Sequence, residues 1–287
     1  MVEVRSLAEC SFSEALKVWN IGFQDYQVDV QMTMERFLKR IVSEELCPQL
    51  SVSAYIDNRP AGIVLSGIRN IKEKRIAWNG GTAVAPLLRG QRIGDALLAY
   101  LLDRYRIEGV DVARLEAIHT NKRAIQLYEK WGYEIFEELH YMSGHDLHAQ
   151  LKNWGFEIED SNPQQISLLP FYRSDVQWQT QWQSVQDGKA LIVYDEEEPV
   201  GYALYKEKLD NNGEVGAIYL YQCEAAPAID HERNILASLL HGVFQTKKAG
   251  TKLFAVNISD QRKTLIDLLH KSGFSTVLKQ VHMEKKL

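Results

Sequence analysis

The sequence predicts an α/β (α+β) protein with two similar halves, each built around a mixed sheet of about six or seven strands. Three features lead to this prediction. The 287 residues are many for one hydrophobic core, so about two domains are expected. Strand-like and helix-like patterns of apolar residues alternate along the chain. Their order in the first half returns in the second half at low identity, which indicates a repeat of domain size.

Composition and charge are those of an ordinary globular protein. Hydrophobic residues make up 45% of the chain and charged residues 25%, which excludes a disordered or fibrous protein. The formal net charge of -5 argues against nucleic acid as a partner, because phosphate binding needs a basic face. An acidic total would suit a cationic amine as the substrate.

The cysteines and the apolar segments indicate the compartment. Cys10, Cys47 and Cys223 are scattered, which excludes a disulfide framework and a thiolate metal site and fits a reducing environment. No apolar run approaches the roughly 18 residues of a membrane span. The N-terminal residues mix charge into every turn, unlike a signal peptide. We therefore expect a cytoplasmic protein with no membrane partner.

The first half opens with a strand and two helices and continues as three strands. The first two of these three strands form a hairpin over the turn at 58–60. Gly80 and Gly81 lie inside the third strand, where glycines mark a bulge or a close approach of backbone or ligand. The predicted bounds are 2–8 (strand), 12–22 and 31–46 (helices), and 50–57, 61–70 and 75–85 (strands).

A glycine-containing loop then connects a strand to a helix. The strand ends at Val84, Pro86 blocks its continuation, and residues 93–105 place apolar side chains on one helical face. The unpaired N–H groups and the positive dipole end of such a helix would hold a pyrophosphate. Alternatively, Gly90 and Gly94 only permit a tight turn and close packing.

A further strand and helix complete the pattern. Residues 112–118 alternate as a strand, and Asn121 is a good N-cap for the helix that follows. Gly132 is placed to end this helix. One face of the helix is formed by Ala124, Ile125, Tyr128 and Trp131.

The segment from Val84 to Tyr133 resembles the acetyl-CoA-binding core of the GNAT superfamily of N-acetyltransferases. One motif is V-x-P-x-x-R-G, beginning at Val84, and the other is N-x-x-A-x-x-x-Y-x-x-x-G-Y/F, beginning at Asn121. Residues 1–147 also follow the superfamily order of strand, two helices, three antiparallel strands, helix, strand, helix and two strands. The resemblance therefore implies two tandem GNAT-like domains, each a mixed, mostly antiparallel sheet flanked by helices.

One position departs from the superfamily pattern. The loop R/Q-x-x-G-x-G/A falls on residues 89–94, where Arg92 replaces the first glycine. A register shifted by two residues, 91–96, satisfies the letters but breaks the distance to Val84 and Pro86. We prefer the first register and expect Arg92 to adopt helical dihedral angles, with its side chain in solvent or on a phosphate.

The resemblance implies an acyltransferase that uses acetyl-CoA as co-substrate and needs no metal. The acetyl group would be transferred to a primary amine of a small molecule or peptide. The alternative is a non-enzymatic acyl-CoA-binding or scaffolding protein with decayed GNAT domains. The intact motif around Tyr128 favours the enzyme, whereas Arg92 and the lack of an obvious base leave the alternative open. Neither the acceptor amine nor the oligomeric state can be inferred.

The resemblance also implies which residues hold acetyl-CoA. Backbone N–H groups near the end of the predicted strand 75–85 would contact the thioester carbonyl. The glycine loop and the last helix would bind the remainder of acetyl-CoA. The implied set is Thr82, Ala83, Val84, Arg89, Gly90, Gln91, Arg92, Ile93, Gly94, Asp95, Asn121, Ala124 and Tyr128.

Two residues are candidates for proton transfer. Tyr128 occupies the position of the superfamily tyrosine that meets the departing thiolate, so the resemblance implies a general acid; alternatively its ring only packs. Glu116 resembles the proposed base of the ribosomal-protein alanine acetyltransferase; alternatively it faces solvent. His119 is a rival base, or an ordinary loop histidine.

The acceptor amine would meet residues outside these motifs. Asp25 and Tyr26 lie between the first two helices, a region that lines the acceptor pocket in the superfamily, and could bind an amine or form a solvated loop. Trp78 and His119 complete the predicted substrate-binding set. Trp78 and Tyr141 also fit a role in the core or the pocket wall.

The second half repeats the first without its chemistry. A shift of 141 residues aligns Ala85-Pro86 with Ala226-Pro227 and Gly132 with Gly273, and a two-residue gap aligns Gly62 with Gly201. We expect a catalytic domain at 1–149 and a degenerate GNAT-like domain at 150–287, with the boundary near 148–155.

The lost chemistry is visible at three places in the second half. The phosphate loop becomes Asp-His-Glu-Arg-Asn-Ile at 230–235, with two carboxylates and no glycine. Like charge at a phosphate site is unfavourable. Tyr128 aligns with Leu269 and Asn121 with Arg262. We therefore expect one acetyl-CoA site per chain, in the first half.

Overall fold

The computed structural model describes residues 2–144, 151–245 and 247–287. The chain forms two compact units. Unit 1 consists of residues 1–136 together with 281–287, and unit 2 of residues 137–280. The division into two repeated domains, 1–149 and 150–287, stays a prediction. Residues 145–150, at the predicted boundary, lie outside the described residues.

Within residues 2–144 the helices and strands keep the predicted order up to the last helix, but one strand follows that helix where two were predicted. Unit 1 contains β1 (Val2–Ser6), α1 (Phe12–Gly22), α2 (Met34–Ser43), β2 (Val52–Ile56), β3 (Arg59–Ile71), β4 (Lys74–Val84), α3 (Ile93–Ile107), β5 (Val112–Ile118), α4 (Lys122–Lys130) and the first residues of β6 (Glu134–Gly144). Unit 2 contains the rest of β6, β7 (Glu157–Ser161), α5 (Pro163–Ile166), β8 (Lys189–Asp195), β9 (Glu198–Leu209), β10 (Val215–Ala225), α6 (Glu232–Phe244), β11 (Lys252–Ser259), α7 (Lys263–Lys271) and the first part of β12 (Phe274–Lys286). The end of β12, from Val281, belongs to unit 1.

The sheet of unit 1 has the order β1-β2-β3-β4-β5, followed by the end of β12. The pairs β1-β2, β2-β3 and β3-β4 are antiparallel, and the pair β4-β5 is parallel. Helix α3 packs its apolar face on this sheet, and Leu97, Leu98 and Leu101 are fully buried there. The mixed, mostly antiparallel sheet flanked by helices is confirmed.

Strands β4 and β5 pair over only part of their length. Their register runs from Ile76 opposite Val112 to Asn79 opposite Leu115, and β4 then continues unpaired on this side to its end. A bulge lies where the pairing stops, because Leu65 of β3 pairs with Gly81 and the next residue of β3 pairs with Asn79. The glycine pair therefore marks a bulge, as predicted, and the sheet is splayed beyond it.

The sheet of unit 2 has the order β7-β8-β9-β10-β11-β6, with the first part of β12 beside β6. Strands β10 and β11 run parallel, and the pairs β7-β8, β8-β9, β9-β10 and β11-β6 are antiparallel. Strand β10 and helix α7 begin and end 141 residues after β4 and α4. The weak repeat in the sequence is therefore a repeat of matching elements.

Helix α2 is shorter than the predicted range of 31–46. Thr33 is its N-cap, with a side chain that accepts a hydrogen bond from the Arg36 amide. The Asn20 side chain bonds both the N–H and the carbonyl of Met32, each at 2.9 Å. These contacts keep the residues before Thr33 outside the helix, although the sequence predicts a helix from residue 31.

Candidate active site

A cavity of about 520 Å³ lies in unit 1, between the end of β4, the start of α3, helix α4 and the loop after α1. Most of the predicted site residues line it. Those are Asp25, Tyr26, Thr82, Ala83, Val84, Arg89, Gly90, Arg92, Ile93, Gly94, Asp95, Asn121, Ala124 and Tyr128. The lining also includes residues that the sequence did not single out: Gly22, Phe23, Gln27, Arg123, Gln126, Leu127 and Lys130.

The end of β4 presents backbone donors to this cavity. The Ala85 amide donates to the Ala61 carbonyl at 2.9 Å, on the β3 side. Because successive residues of a strand face alternate sides, the Val84 amide points to the other side, where β5 has separated. The Val84 carbonyl on that side accepts a hydrogen bond from Arg89 Nε at 3.2 Å. The Val84 N–H is thus left facing the cavity.

The loop before α3 is bent by left-handed backbone. Gly90 has a φ of 88°, and a side chain added there would meet no atom within 4 Å. Arg92 is the N-cap of α3, with φ 60° and ψ 19°, and its side chain makes no capping hydrogen bond. The expectation of helical dihedral angles at Arg92 is therefore wrong. A left-handed non-glycine residue costs about 1 kcal/mol, which explains why the superfamily pattern has glycine here.

Asp95, in the first turn of α3, has partners of its own. Its carboxylate accepts hydrogen bonds from the Lys130 ammonium and from Trp131 Nε1, the latter at 3.1 Å. The Lys130 hydrogen bond is the main cause that holds the pKa of Asp95 below its ordinary value. The pair ties α3 to α4 and neutralises the carboxylate beside the predicted phosphate loop.

Helices α3 and α4 also approach closely at Gly94. A Cβ atom at this position would lie 2.8 Å from Cδ2 of Leu127. Gly94 thus permits close packing and also lines the cavity, and phosphate binding at this loop stays a prediction.

Tyr128 is buried at the floor of the cavity, with 5% of its surface exposed. Burial raises the pKa of its hydroxyl to about 12, although a hydrogen bond with the Thr82 side chain works against this rise. Thr82 Oγ1 in turn accepts from Asn79 Nδ2 at 2.8 Å. The phenol is therefore protonated at neutral pH and is held by the bulged end of β4.

The loop after α1 is joined to the start of α4. Tyr26 hydrogen-bonds with the Asn121 side chain, and burial raises the pKa of its hydroxyl. Thr120 Oγ1 donates to Gln27 Oε1 at 2.9 Å. Asp25 lines the cavity with a left-handed φ of 59°. The alternative of a fully solvated loop does not describe Tyr26, which is packed against the site.

Glu116 and Trp78 form a pair outside the cavity lining. The Glu116 side chain is 7% exposed, and its Oε2 accepts from Trp78 Nε1 at 2.9 Å. His282, from the end of β12, places its Nε2 3.5 Å from Glu116 Oε1. The alternative that Glu116 faces solvent is wrong, because it is buried between an indole and an imidazole. Trp78, 2% exposed, belongs to the core.

Two other predicted residues also stand apart from the cavity. Gln91 is exposed in the loop before α3, and His119 is half-buried between β5 and α4. Neither lines the cavity. Tyr141 lies in unit 2, where its ring packs against Phe254 at a centroid distance of 5.8 Å.

Within residues 2–144, 151–245 and 247–287, no three His, Cys, Asp or Glu side chains come together to hold a metal ion. No helix in these ranges has the length and apolar character needed to cross a membrane.

Known proteins share both the motifs and the fold. Residues 6–133 match the acetyltransferase (GNAT) family. This segment is a GNAT-family domain. A stretch of 101 residues is 30% identical to N-alpha-acetyltransferase 30 of Dictyostelium discoideum and covers 34% of this chain and 55% of that protein. The chain thus spans about half the length of this curated relative.

Solved structures resemble the whole chain. It matches a GCN5-related N-acetyltransferase from Sphaerobacter thermophilus with a TM-score of 0.67 and 15% identity, over 100% of this chain and 95% of that one. It matches a tandem GNAT protein from the clavulanic acid biosynthesis pathway with a TM-score of 0.67 and 10% identity, over 100% and 98%. At such low identity these matches show the fold alone, which is that of a tandem GNAT protein.

Proposed function

We propose that unit 1 is an acetyl-CoA-dependent N-acetyltransferase that acts on a primary amine of a small molecule or peptide. One observation carries the proposal: the Tyr128 hydroxyl, the free side of the β4 end and the start of α3 open into the same cavity. The family of residues 6–133 supports acetyl transfer in general. The relative named N-alpha-acetyltransferase 30 supports an amine as the acceptor. The cytoplasmic location stays a prediction from the sequence.

The residues at the start of α3 fit a phosphate-bearing co-substrate. The first N–H groups of α3 have no side-chain cap, and the space beside Gly90 is open. Arg92 and Arg123 are exposed cations in the cavity lining, where they would meet phosphate oxygens. Asp95 is neutralised by Lys130 and therefore repels an anion little. Acetyl-CoA bound here supplies the acetyl group as a thioester.

In this proposal the chain itself contributes two groups at the thioester. The Val84 N–H donates a hydrogen bond to the thioester carbonyl oxygen, which gains negative charge during transfer. Tyr128 holds a proton for the departing thiolate, and its raised pKa of about 12 keeps the phenol protonated at neutral pH. The Thr82 hydrogen bond fixes the direction of the phenol.

The acceptor side of the proposal rests on fewer contacts. Asp25 and Tyr26 line the cavity and would face the amine. Glu116 is proposed as the base; because it does not line the cavity, a proton would reach it through a water molecule or a neighbouring side chain. His119, between β5 and α4, is the alternative base.

Thiol release from acetyl-CoA across a panel of small primary amines and short peptides tests the proposal. We expect release that depends on the amine and saturates with acetyl-CoA. If acetyl-CoA binds but no amine in either class promotes release, the alternative of an acyl-CoA-binding or scaffolding protein replaces the enzyme. Ranking the amines would also assign the acceptor class.

A further inference from the structure

Unit 2 contains a buried carboxylate between two guanidinium groups. Glu224, at the end of β10, has a side chain that is 9% exposed. Arg262 Nη2 lies 3.1 Å from its Oε2, and Arg173 Nη1 lies 3.7 Å from its Oε1. All three side chains line a cavity of about 350 Å³. Two guanidinium groups carry ten N–H donors in total, far more than one carboxylate can accept.

The rest of this cavity is largely apolar. Its wall is formed by the end of β10 and the turn that leads to α6, with one aromatic ring from the segment before β8. Glu232 is the other charged residue of the lining, and its Oε2 accepts from Thr264 Oγ1 at 3.0 Å. The apolar members are Phe171, Ala225, Ala226, Pro227, Ala228 and Ile229.

A smaller cavity of about 20 Å³ shares Arg173, Glu224 and Arg262 with the first one and adds Gln177. The Gln177 side chain is 2% exposed; its Oε1 accepts from the Gln179 amide at 2.9 Å. Its Nε2 and the buried Nε of Arg262 find no acceptor among the described residues. Both orphaned groups are donors, and a buried donor without an acceptor is unfavourable. Two buried donors in this corner of unit 2 are therefore left without an acceptor among the described residues.

This place corresponds to the acetyl-CoA site of unit 1. Glu224 follows Ala83 by 141 residues and Arg262 follows Asn121 by the same interval, and both Ala83 and Asn121 line the cavity of unit 1. Unit 2 has thus exchanged a small apolar residue and an amide for a carboxylate and a guanidinium at matching positions. A salt-bridge cluster that served stability alone would not require a cavity beside it.

We propose that unit 2 binds a small monocarboxylate with an apolar body. The carboxylate would lie beside Arg173 and Arg262 and accept hydrogen bonds from their guanidinium groups, and the apolar body would pack on Phe171 and Pro227. This inference is independent of the activity proposed for unit 1.

Charge explains why a monoanion fits better than its alternatives. The lining contains Arg173, Arg262, Glu224 and Glu232, so its net charge is zero with Glu224 ionised and one positive unit with Glu224 protonated. A monocarboxylate neutralises the second form. A phosphate dianion would overcompensate and would also face Glu232 and Asp175, which lies 3.4 Å from Arg173 Nε. A cation would meet two guanidinium groups. Burial raises the pKa of Glu224 to about 8, so its protonated form, which repels no anion, is accessible near neutral pH.

Calorimetric titration of the full-length protein tests this proposal, with hexanoate and benzoate as probes and inorganic phosphate and hexylamine as comparisons. We expect saturable binding of the carboxylates and weaker or no binding of the other two. Arg262→Gln should weaken hexanoate binding about tenfold or more, because a charge-assisted contact is lost. Arg233→Gln is the matched control, since Arg233 is exposed, pairs with Asp267 at 2.8 Å and lies outside both cavities.

A second variant keeps the test decisive if Arg262→Gln does not fold. Ala226→Phe would fill the cavity wall without removing any member of the charged cluster, and should abolish hexanoate binding. Glu224→Gln should tighten it, because the competing carboxylate is removed. Equal hexanoate affinity in Arg262→Gln and Arg233→Gln, no binding to the wild type, or preference for hexylamine would each overturn the proposal.

Discussion

Units 1 and 2 match in the elements from β4 to α4 and from β10 to α7, and they differ at the turn after β4 and the turn after β10. Strands β4 and β10 and helices α4 and α7 have the same bounds, 141 residues apart. In unit 1 the turn contains Gly90 with φ 88° and leads to a helix whose first N–H groups face a cavity. In unit 2 residues 230–235 contain no glycine, and Glu232 adds a carboxylate to the first turn of α6.

The comparison separates residues that stabilise the fold from residues that are proposed to bind the ligand. Tyr128 corresponds to Leu269, which is fully buried in the core of unit 2, so an apolar residue satisfies the packing at this position. Packing at this position therefore does not require the hydroxyl of Tyr128. Asn121 caps α4, whereas Arg262 makes no capping hydrogen bond, yet α7 has the same length. The apolar pattern therefore preserves the fold after the polar residues have changed.

The largest expected effect concerns the hydroxyl that unit 2 lacks. Tyr128→Phe should lower turnover by roughly 10²–10⁴ while acetyl-CoA affinity and the melting temperature change little. Tyr133→Phe is the matched control: Tyr133 is 1% exposed, its hydroxyl has no hydrogen-bond partner among the described residues, and it lies outside the cavity. Steady-state kinetics and thermal melts on both variants measure turnover and stability separately. Wild-type turnover in Tyr128→Phe would leave this tyrosine a packing residue.

A smaller effect should appear equally in both units. At Gly62 a Cβ atom would lie 2.7 Å from the Ala83 carbonyl oxygen, and at Gly201 2.5 Å from Cγ2 of Ile235. Gly62→Ala and Gly201→Ala should each lower the free energy of unfolding by about 1–3 kcal/mol, because the added methyl group would overpack both positions. Denaturant titrations measure the change, and hydrogen exchange assigns it to a unit. A harmless Gly201→Ala beside a costly Gly62→Ala would show that unit 2 has lost packing as well as chemistry.

Arg92 should show a gain in stability. Arg92→Gly removes the strain of a left-handed arginine and should raise the free energy of unfolding by about 0.5–1 kcal/mol. Arg92→Lys keeps both the charge and the strain, so its stability should match the wild type. Acetyl-CoA affinity of the two variants separates a phosphate contact from a role in the backbone. If Arg92→Gly is less stable than Arg92→Lys, the strain does not limit the stability of this turn.

The smallest effect is a dependence on pH. Lys130 holds the folded-state pKa of Asp95 below its ordinary value of 3.8. The pair therefore stabilises the fold above that pH, and the contribution is lost as the pH falls through the lower folded-state pKa. Asp95→Asn should lower the free energy of unfolding by up to about 1 kcal/mol at pH 7, with the difference shrinking below about pH 4. A difference that is constant from pH 7 to pH 3 would contradict the ion pair.

The sequence predicts those features that local patterns determine. The helical face of α3, the bulge at Gly80 and Gly81, the cap at Asn121 and most residues of the cavity follow from spacing, from turn chemistry and from the superfamily motifs. These features depend on residues close together along the chain.

Features that depend on distant residues could not be predicted. His282 reaches Glu116 from the far end of the chain, and no local pattern pairs them. Lys130 reaches Asp95 because α3 and α4 pack together, which spacing within either helix does not reveal. The turn as a whole sets the left-handed backbone of Arg92. The preference of arginine for helices does not predict this conformation.

We expect unit 1 to bind acetyl-CoA and unit 2 not to bind it. Calorimetric titration of the full-length protein with acetyl-CoA measures this most directly, combined with hydrogen exchange to locate the bound molecule. We predict a stoichiometry near one and protection of the amides between Val84 and Asp95, with residues 226–235 unchanged. A stoichiometry near two, or protection at residues 226–235, would contradict the claim.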